Sequence, residues 1–162
     1  QRLMKLEGNR RISAARQQVW EALNRPEVLR RCTPGCQRLV VNAAGGYDTE
    51  IEIVLGAIKG RFTGKIEIKD RVPGSQYRLA VSASGSTGFL NAEGVVDLRE
   101  EAGETRIEYT GHAEVGGPIA GVGQRMMDSV AKRLVAQFFE TLEKALSKPS
   151  RRAGIMERPP QP

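Results

Sequence analysis

Few residues in this chain have the type and spacing to do chemistry. His112 is the lone histidine among 162 residues. Strand alternation places it with Arg106, Glu108 and Glu114 on a wet face, opposite Tyr109 and Gly111. Cys32 and Cys36 have a Cys-x3-Cys spacing interrupted by Pro34-Gly35, and no second pair exists. A zinc site needs four ligands, or three and a water, so these cysteines read as structural or partly buried thiols. Glu50, Glu52, Lys65, Glu67 and Lys69 alternate along strand-like segments and read as solvated cross-strand pairs. Asp70 and Glu93 matter most for an enzyme reading, because a one-residue slip of register would turn either inward. The run "GGPIAGVGQRM" (116–126) invites a phosphate-loop reading, but it has neither GxxxxGK[ST] nor GxGxxG spacing. No catalytic residue, metal or cofactor is expected.

Composition narrows the classes. The length suits one domain with a single core. Aromatic content is 5% and there are 18 glycines, so the core must be aliphatic and small. The formal charge is +6. Lys148, Arg151, Arg152 and Arg158 against Glu157 put a net +3 after Ser147, which leaves about +3 for the rest. Mixed signs along the strands argue against a nucleic-acid surface. No run of 18 apolar residues and no signal-peptide pattern is seen. Two cysteines make no disulfide framework, so a reducing cytoplasm is expected. Met4 reads as a start, and residues 1–3 are set aside.

The elements follow from periodicity. Residues 4–12 alternate as a half-wet strand. Ser13 offers a cap to a short helix with Val19, Trp20 and Leu23 on one face, and Pro26 starts a second one. From Gln37 the period becomes two. "QRLVVN", "YDTEIEIVLGAI", "GRFTGKIEIKDRV", "YRLAVSASG", "GFLNAEGVVDLRE" and "TRIEYTGHAEV" complete seven strands. Short links imply an antiparallel sheet with one face in water. Pro118 is expected to begin a long closing helix to Leu146. Its stripe includes Val122, Met126, Met127, Val130, Leu134, Val135, Phe138, Phe139 and Leu142. The expected domain spans 4–147, followed by a disordered, basic, proline-rich tail over 148–162.

The inward positions of the later strands are small: Gly64, Ala83, Gly85, Ala92, Gly94, Gly111 and Ala113. Interiors are close-packed, so the sheet must either bend closely round the helix or leave a cavity, and both can coexist. The expected cavity walls are Leu55, Phe62, Leu79, Val81, Leu90, Tyr109, Val122, Met126 and Val130, with the Tyr109 hydroxyl as polar anchor. Gly121 and Gly123 are expected in the first turns of the long helix, at a pocket mouth.

The stretches "VWEALNRPEVLRRCTPGC" (19–36), "IVLGAIKGRFTGKIEIKD" (53–70), "LNAEGVVDL" (90–98), "TRIEYTGHAEVGGPIAGVGQRM" (105–126) and "VAQFFETL" (135–142) resemble the carbon monoxide dehydrogenase G-subunit family of the START-like helix-grip superfamily (SRPBCC). The resemblance covers about residues 4–146. It implies an α+β helix-grip fold, a curved seven-stranded antiparallel sheet wrapped around a long C-terminal helix, with two short helices after the first strand. It also implies an accessory protein that binds a lipophilic molecule, a quinone or lipid, and recruits a molybdenum hydroxylase of the carbon monoxide dehydrogenase type to the membrane. Many members carry a membrane-anchoring C-terminus; here the tail is short and basic. Its Lys148, Arg151 and Arg152 suit peripheral contact with anionic lipid at the inner face of the membrane or plain solvation. Two alternatives stay open: a helix-grip enzyme of cyclase or hydrolase type, and a docking module using Val28, Leu29 and the Cys32–Cys36 loop.

Overall fold

The computed structural model describes residues 2–56 and 58–157, with side chains described as far as Leu146. Strand β1 (Arg2–Ile12) is followed by helices α1 (Arg16–Leu23) and α2 (Pro26–Cys32). Strands β2 (Cys36–Val41), β3 (Tyr47–Leu55), β4 (Ile58–Val72), β5 (Gln76–Gly85), β6 (Gly88–Glu101) and β7 (Glu104–Gly116) come next. A 3-10 turn (Pro118–Val122) leads into α3 (Gln124–Glu157).

All seven strands form one antiparallel sheet in the order β1-β7-β6-β5-β4-β3-β2. Only β1 leaves sequence order, returning beside the last strand because α1 and α2 carry the chain across to the far edge. The β6–β7 hairpin closes through Ala102 and Gly103, both with positive φ, the backbone sign that matches strand twist. Alternation along the strands agrees with the expected faces: Tyr47, Thr49, Phe62, Tyr77, Leu98 and Ile107 are buried, whereas His112 is exposed opposite Glu93.

Four local expectations need correction. Residues before Met4 belong to the fold: Arg2 pairs with Val115, and its Nε donates to the Ala120 carbonyl at 3.0 Å. Ser13 does not cap α1. The cap is Ala15, whose N–H donates to the Gln18 side chain at 3.2 Å, while the Ser13 hydroxyl donates to Glu104. Val28 is buried in the core with Cys32, so neither is open for docking, while Leu29 and residues 33–36 stay partly or fully exposed. The long helix begins at Gln124, not Pro118. The segment expected to be a tail, 148–162, lies outside the residues with described side chains; α3 is assigned through Glu157.

The core has two parts. One gathers Ile12, Trp20, Leu23, Leu98, Ile107 and Leu142 beneath α1 and α2. The other gathers Met4, Ile58, Ala113, Val115, Ala120 and Met127 at the start of α3. Burial pushes the Cys32 thiol up to about 11, against the opposing pull of Arg31, which makes it an inert core group.

Candidate ligand cavity

The glycine run makes a corner. Gly117 (φ 84, ψ −170) and Gly123 (φ 99, ψ 158) flank the 3-10 turn in a backbone region that is essentially glycine's alone. Gly116 is crowded for a different reason: a Cβ there would run into the Phe89 ring. The Gln124 side chain then donates to the Leu3 carbonyl at 3.1 Å, tying the corner to β1. The glycines therefore turn the chain sharply from β7 into α3.

An added Cβ at Gly121 or Gly123 would meet no heavy atom within 4 Å. Tight helix–sheet packing is thus not their purpose, and neither lines the cavity described below. The backbone separates them. Gly121→Ala is expected to change stability by no more than about 0.5 kcal/mol. Gly123→Ala is expected to lose about 1–3 kcal/mol through backbone strain. Thermal melts of the two variants check this; equal melting temperatures would refute the strain assignment.

Between the two core parts lies a cavity of about 430 Å³. Leu79, Val96, Tyr109, Val135 and Phe138 border it from the first part, and Ile53, Leu90 and Ala92 from the second. These side chains are only partly buried because the helix and the sheet do not meet there. Ala92, Gly94 and Gly111 form the floor on β6 and β7. Gly94 and Gly111 face each other across the strand pair, and a Cβ on Gly111 would run into the Glu93 carbonyl. Close strand approach and open space therefore coexist, as the small residues suggested.

The lining is almost wholly apolar. Of its polar residues, Thr33 spends its hydroxyl on the Leu29 carbonyl at 2.8 Å, and Glu93 and Thr110 are exposed. Asp70 is exposed as well and pairs with Arg78 at 3.5 Å. Larger hollows, of about 640 and 780 Å³, lie among charged and polar side chains such as Lys65, Ser82 and Asn91. Such grooves suit water, whereas an apolar cavity of a few hundred Å³ suits a small molecule.

Of the nine expected wall residues, Leu79, Leu90 and Tyr109 come together at the cavity. Val122 and Val130 pack instead against the second core part, and Phe62 is buried outside the cavity wall. Leu55 and Val81 are partly buried away from it, and Met126 is 39% exposed, one position from the buried Met127. The helical wall is Leu134, Val135, Phe138 and Phe139. These stand in the apolar stripe legible in the sequence, but the stripe does not say which of its turns faces the void.

Tyr109 stacks on Phe139, with centroids 5.6 Å apart. Its ring leans over β1, where a Cβ on Gly8 would come within 2.5 Å of the hydroxyl. Tyr109, Val135 and Phe139 also line a small groove of about 190 Å³ beside Lys5, Arg10 and Lys132. The pair is thus the wall between cavity and seam. Burial raises the Tyr109 phenol above its usual range, with Arg10 acting the other way.

The sequence profile of the carbon monoxide dehydrogenase G subunit (CoxG) matches residues 8–147. The chain belongs to that family. Solved structures agree on its architecture. A conserved protein from Geobacillus kaustophilus is 36% identical, with a TM-score of 0.87 over 90% of this chain and 96% of its own. A START superfamily protein from Mycobacterium smegmatis is 12% identical, with a TM-score of 0.66 over 89% of this chain and 97% of its own. The Zhui aromatase/cyclase from Streptomyces sp. R1128 is 14% identical, with a TM-score of 0.69 over 94% of this chain and 99% of its own. The last two show a shared fold. No curated protein matches the chain. The seven-stranded antiparallel sheet over a long C-terminal helix is the START-like helix-grip fold that the sequence resembled.

Proposed function

We propose that this protein is a non-enzymatic accessory module whose cavity holds a lipophilic small molecule, a quinone or lipid. In this reading it assists a molybdenum hydroxylase of the carbon monoxide dehydrogenase type and brings it to the membrane. The observation that carries the reading is the apolar cavity of about 430 Å³ between the two core parts. Its volume lies in the range of small-molecule sites, and membership of a family named for a carbon monoxide dehydrogenase subunit supports the choice of partner. Leu79, Leu90, Leu134, Phe138 and the Tyr109–Phe139 pair would contact the guest. The domain acts over 4–147 in the cytoplasm, and the basic residues after Ser147 would add weak attraction to anionic lipid. No helix among the described residues is long and apolar enough to cross a membrane.

Vesicle flotation tests the recruiting role. With phosphatidylglycerol-containing vesicles, the hydroxylase is expected to float only when this protein is present, and less so at high salt. A hydroxylase that stays at the bottom in both samples would reject recruitment.

A further inference from the structure

Tyr77 is the polar residue the cavity leaves unexplained. It lines the end covered by α1 and α2, together with Leu23 and Pro34. It is 5% exposed, and its ring meets Trp20 edge-on with centroids 5.7 Å apart. No hydrogen bond reaches its hydroxyl from any described residue. The ionisable groups it feels are the Tyr47 phenol and Arg71, and Arg71 already donates its Nε to Asn24 at 3.2 Å. Native interiors pair nearly all buried hydroxyls, and the Leu23 and Pro34 side chains that line the cavity beside Tyr77 offer no partner. Burial also raises the phenol above its usual range, so it stays protonated and remains a donor.

We infer that Tyr77 is the specificity residue of the cavity, donating to a hydrogen-bond acceptor on a neutral, otherwise apolar ligand. The inference rests on the lipophile-binding reading and deepens it. A carbonyl or ether oxygen fits. A hydrocarbon of the same shape leaves the hydroxyl unpaired, and a carboxylate brings a charge into an apolar site. Tyr77 takes the role first expected of Tyr109, whose half-buried hydroxyl lies at the seam.

Three probes of one shape test this: 2-acetylnaphthalene, 2-ethylnaphthalene and 2-naphthoate, titrated by calorimetry into the wild type, Tyr77→Phe and Tyr109→Phe. The wild type is expected to prefer the ketone over the ethyl compound by about 5- to 10-fold, the size of one net hydrogen bond. Tyr77→Phe should erase that preference while leaving the ethyl compound as tightly bound and the melting temperature unchanged or higher. Tyr109→Phe should keep the preference, and naphthoate should bind none of the three proteins. Equal binding of ketone and hydrocarbon by the wild type, or a Tyr77→Phe loss shared by both, would overturn the assignment while leaving the cavity reading intact. Failure of the ethyl compound to bind at all would overturn both.

Discussion

Ala92→Phe is expected to abolish uptake of apolar ligands while leaving the empty protein as stable as before or more so. Ala92 sits on β6 between Val81 and Ala113 in the neighbouring strands. It is partly buried at the edge of the second core part and forms cavity floor. A larger side chain in a filled core costs about 1–3 kcal/mol through overpacking. Here the ring has open space to enter, and filling a cavity commonly adds about 0.5–2 kcal/mol. The same ring occupies the volume a ligand needs. Affinity for 2-ethylnaphthalene is expected to fall about 100-fold or more, near 2.7 kcal/mol. Calorimetric titration beside a thermal melt reads both signs at once. A destabilised protein that still binds would mean that the space at Ala92 is not the binding site.

The second large effect is a contrast between two leucines on one helix. Leu142 is fully buried in the first core part. Leu142→Ala removes a side chain whose neighbours cannot all close in, so a loss of about 2–5 kcal/mol is expected. For a domain of this size each kcal/mol moves the melting temperature by about 2–4 °C, so the drop should be about 4–20 °C. That is a large part of the roughly 5–15 kcal/mol that folds a typical domain. Leu134, two turns earlier, lines the cavity and is only partly buried. Leu134→Ala removes fewer contacts and enlarges a space already there, so its melting temperature should fall by much less. Equal drops would mean that α3 packs solidly along its length. A third group of variants, at the glycine corner, separates backbone strain from packing in the same assay.

Much of this fold was legible because strand periodicity and sheet position carry the same information. Tyr47, Phe62, Tyr77 and Ile107 are apolar every second residue, and they are the buried ones. The closing helix announced its stripe in the same way, and Phe139 and Leu142 are buried as the stripe requires. What periodicity does not carry is depth along an element. Met126 and Met127 are adjacent and both suit the stripe, yet one is exposed and the other buried, because the corner at Gly123 sets the rotation of α3. The corner itself looked like the start of the helix, since Pro118 suits a first turn. The backbone sign at Gly117 and Gly123 belongs to tertiary structure; a glycine permits it, but the run of glycines does not say which of them adopt it. Tyr77 escaped notice for a related reason. A tyrosine at an inward strand position is ordinary, and only the three-dimensional arrangement reveals that its hydroxyl finds no partner. Glu93 went the other way: alternation placed it outward, and it is exposed. Asp70 is exposed too, but because the pattern breaks there: strict alternation with Ile66 and Ile68 would turn it inward, whereas β4 shifts register between Lys69 and Val72 and Asp70 has a positive φ of 51°.

The central claim is that an apolar guest enters the space between the two core parts. Methyl NMR during titration with 2-ethylnaphthalene tests it most directly. The account predicts saturable one-to-one shifts concentrated on Leu79, Leu90, Leu134 and Val135, with Leu39 and Val41 on the far edge strand unmoved. Methyl signals that never saturate, or shifts confined to exposed positions such as Val41 and Val54, would contradict it.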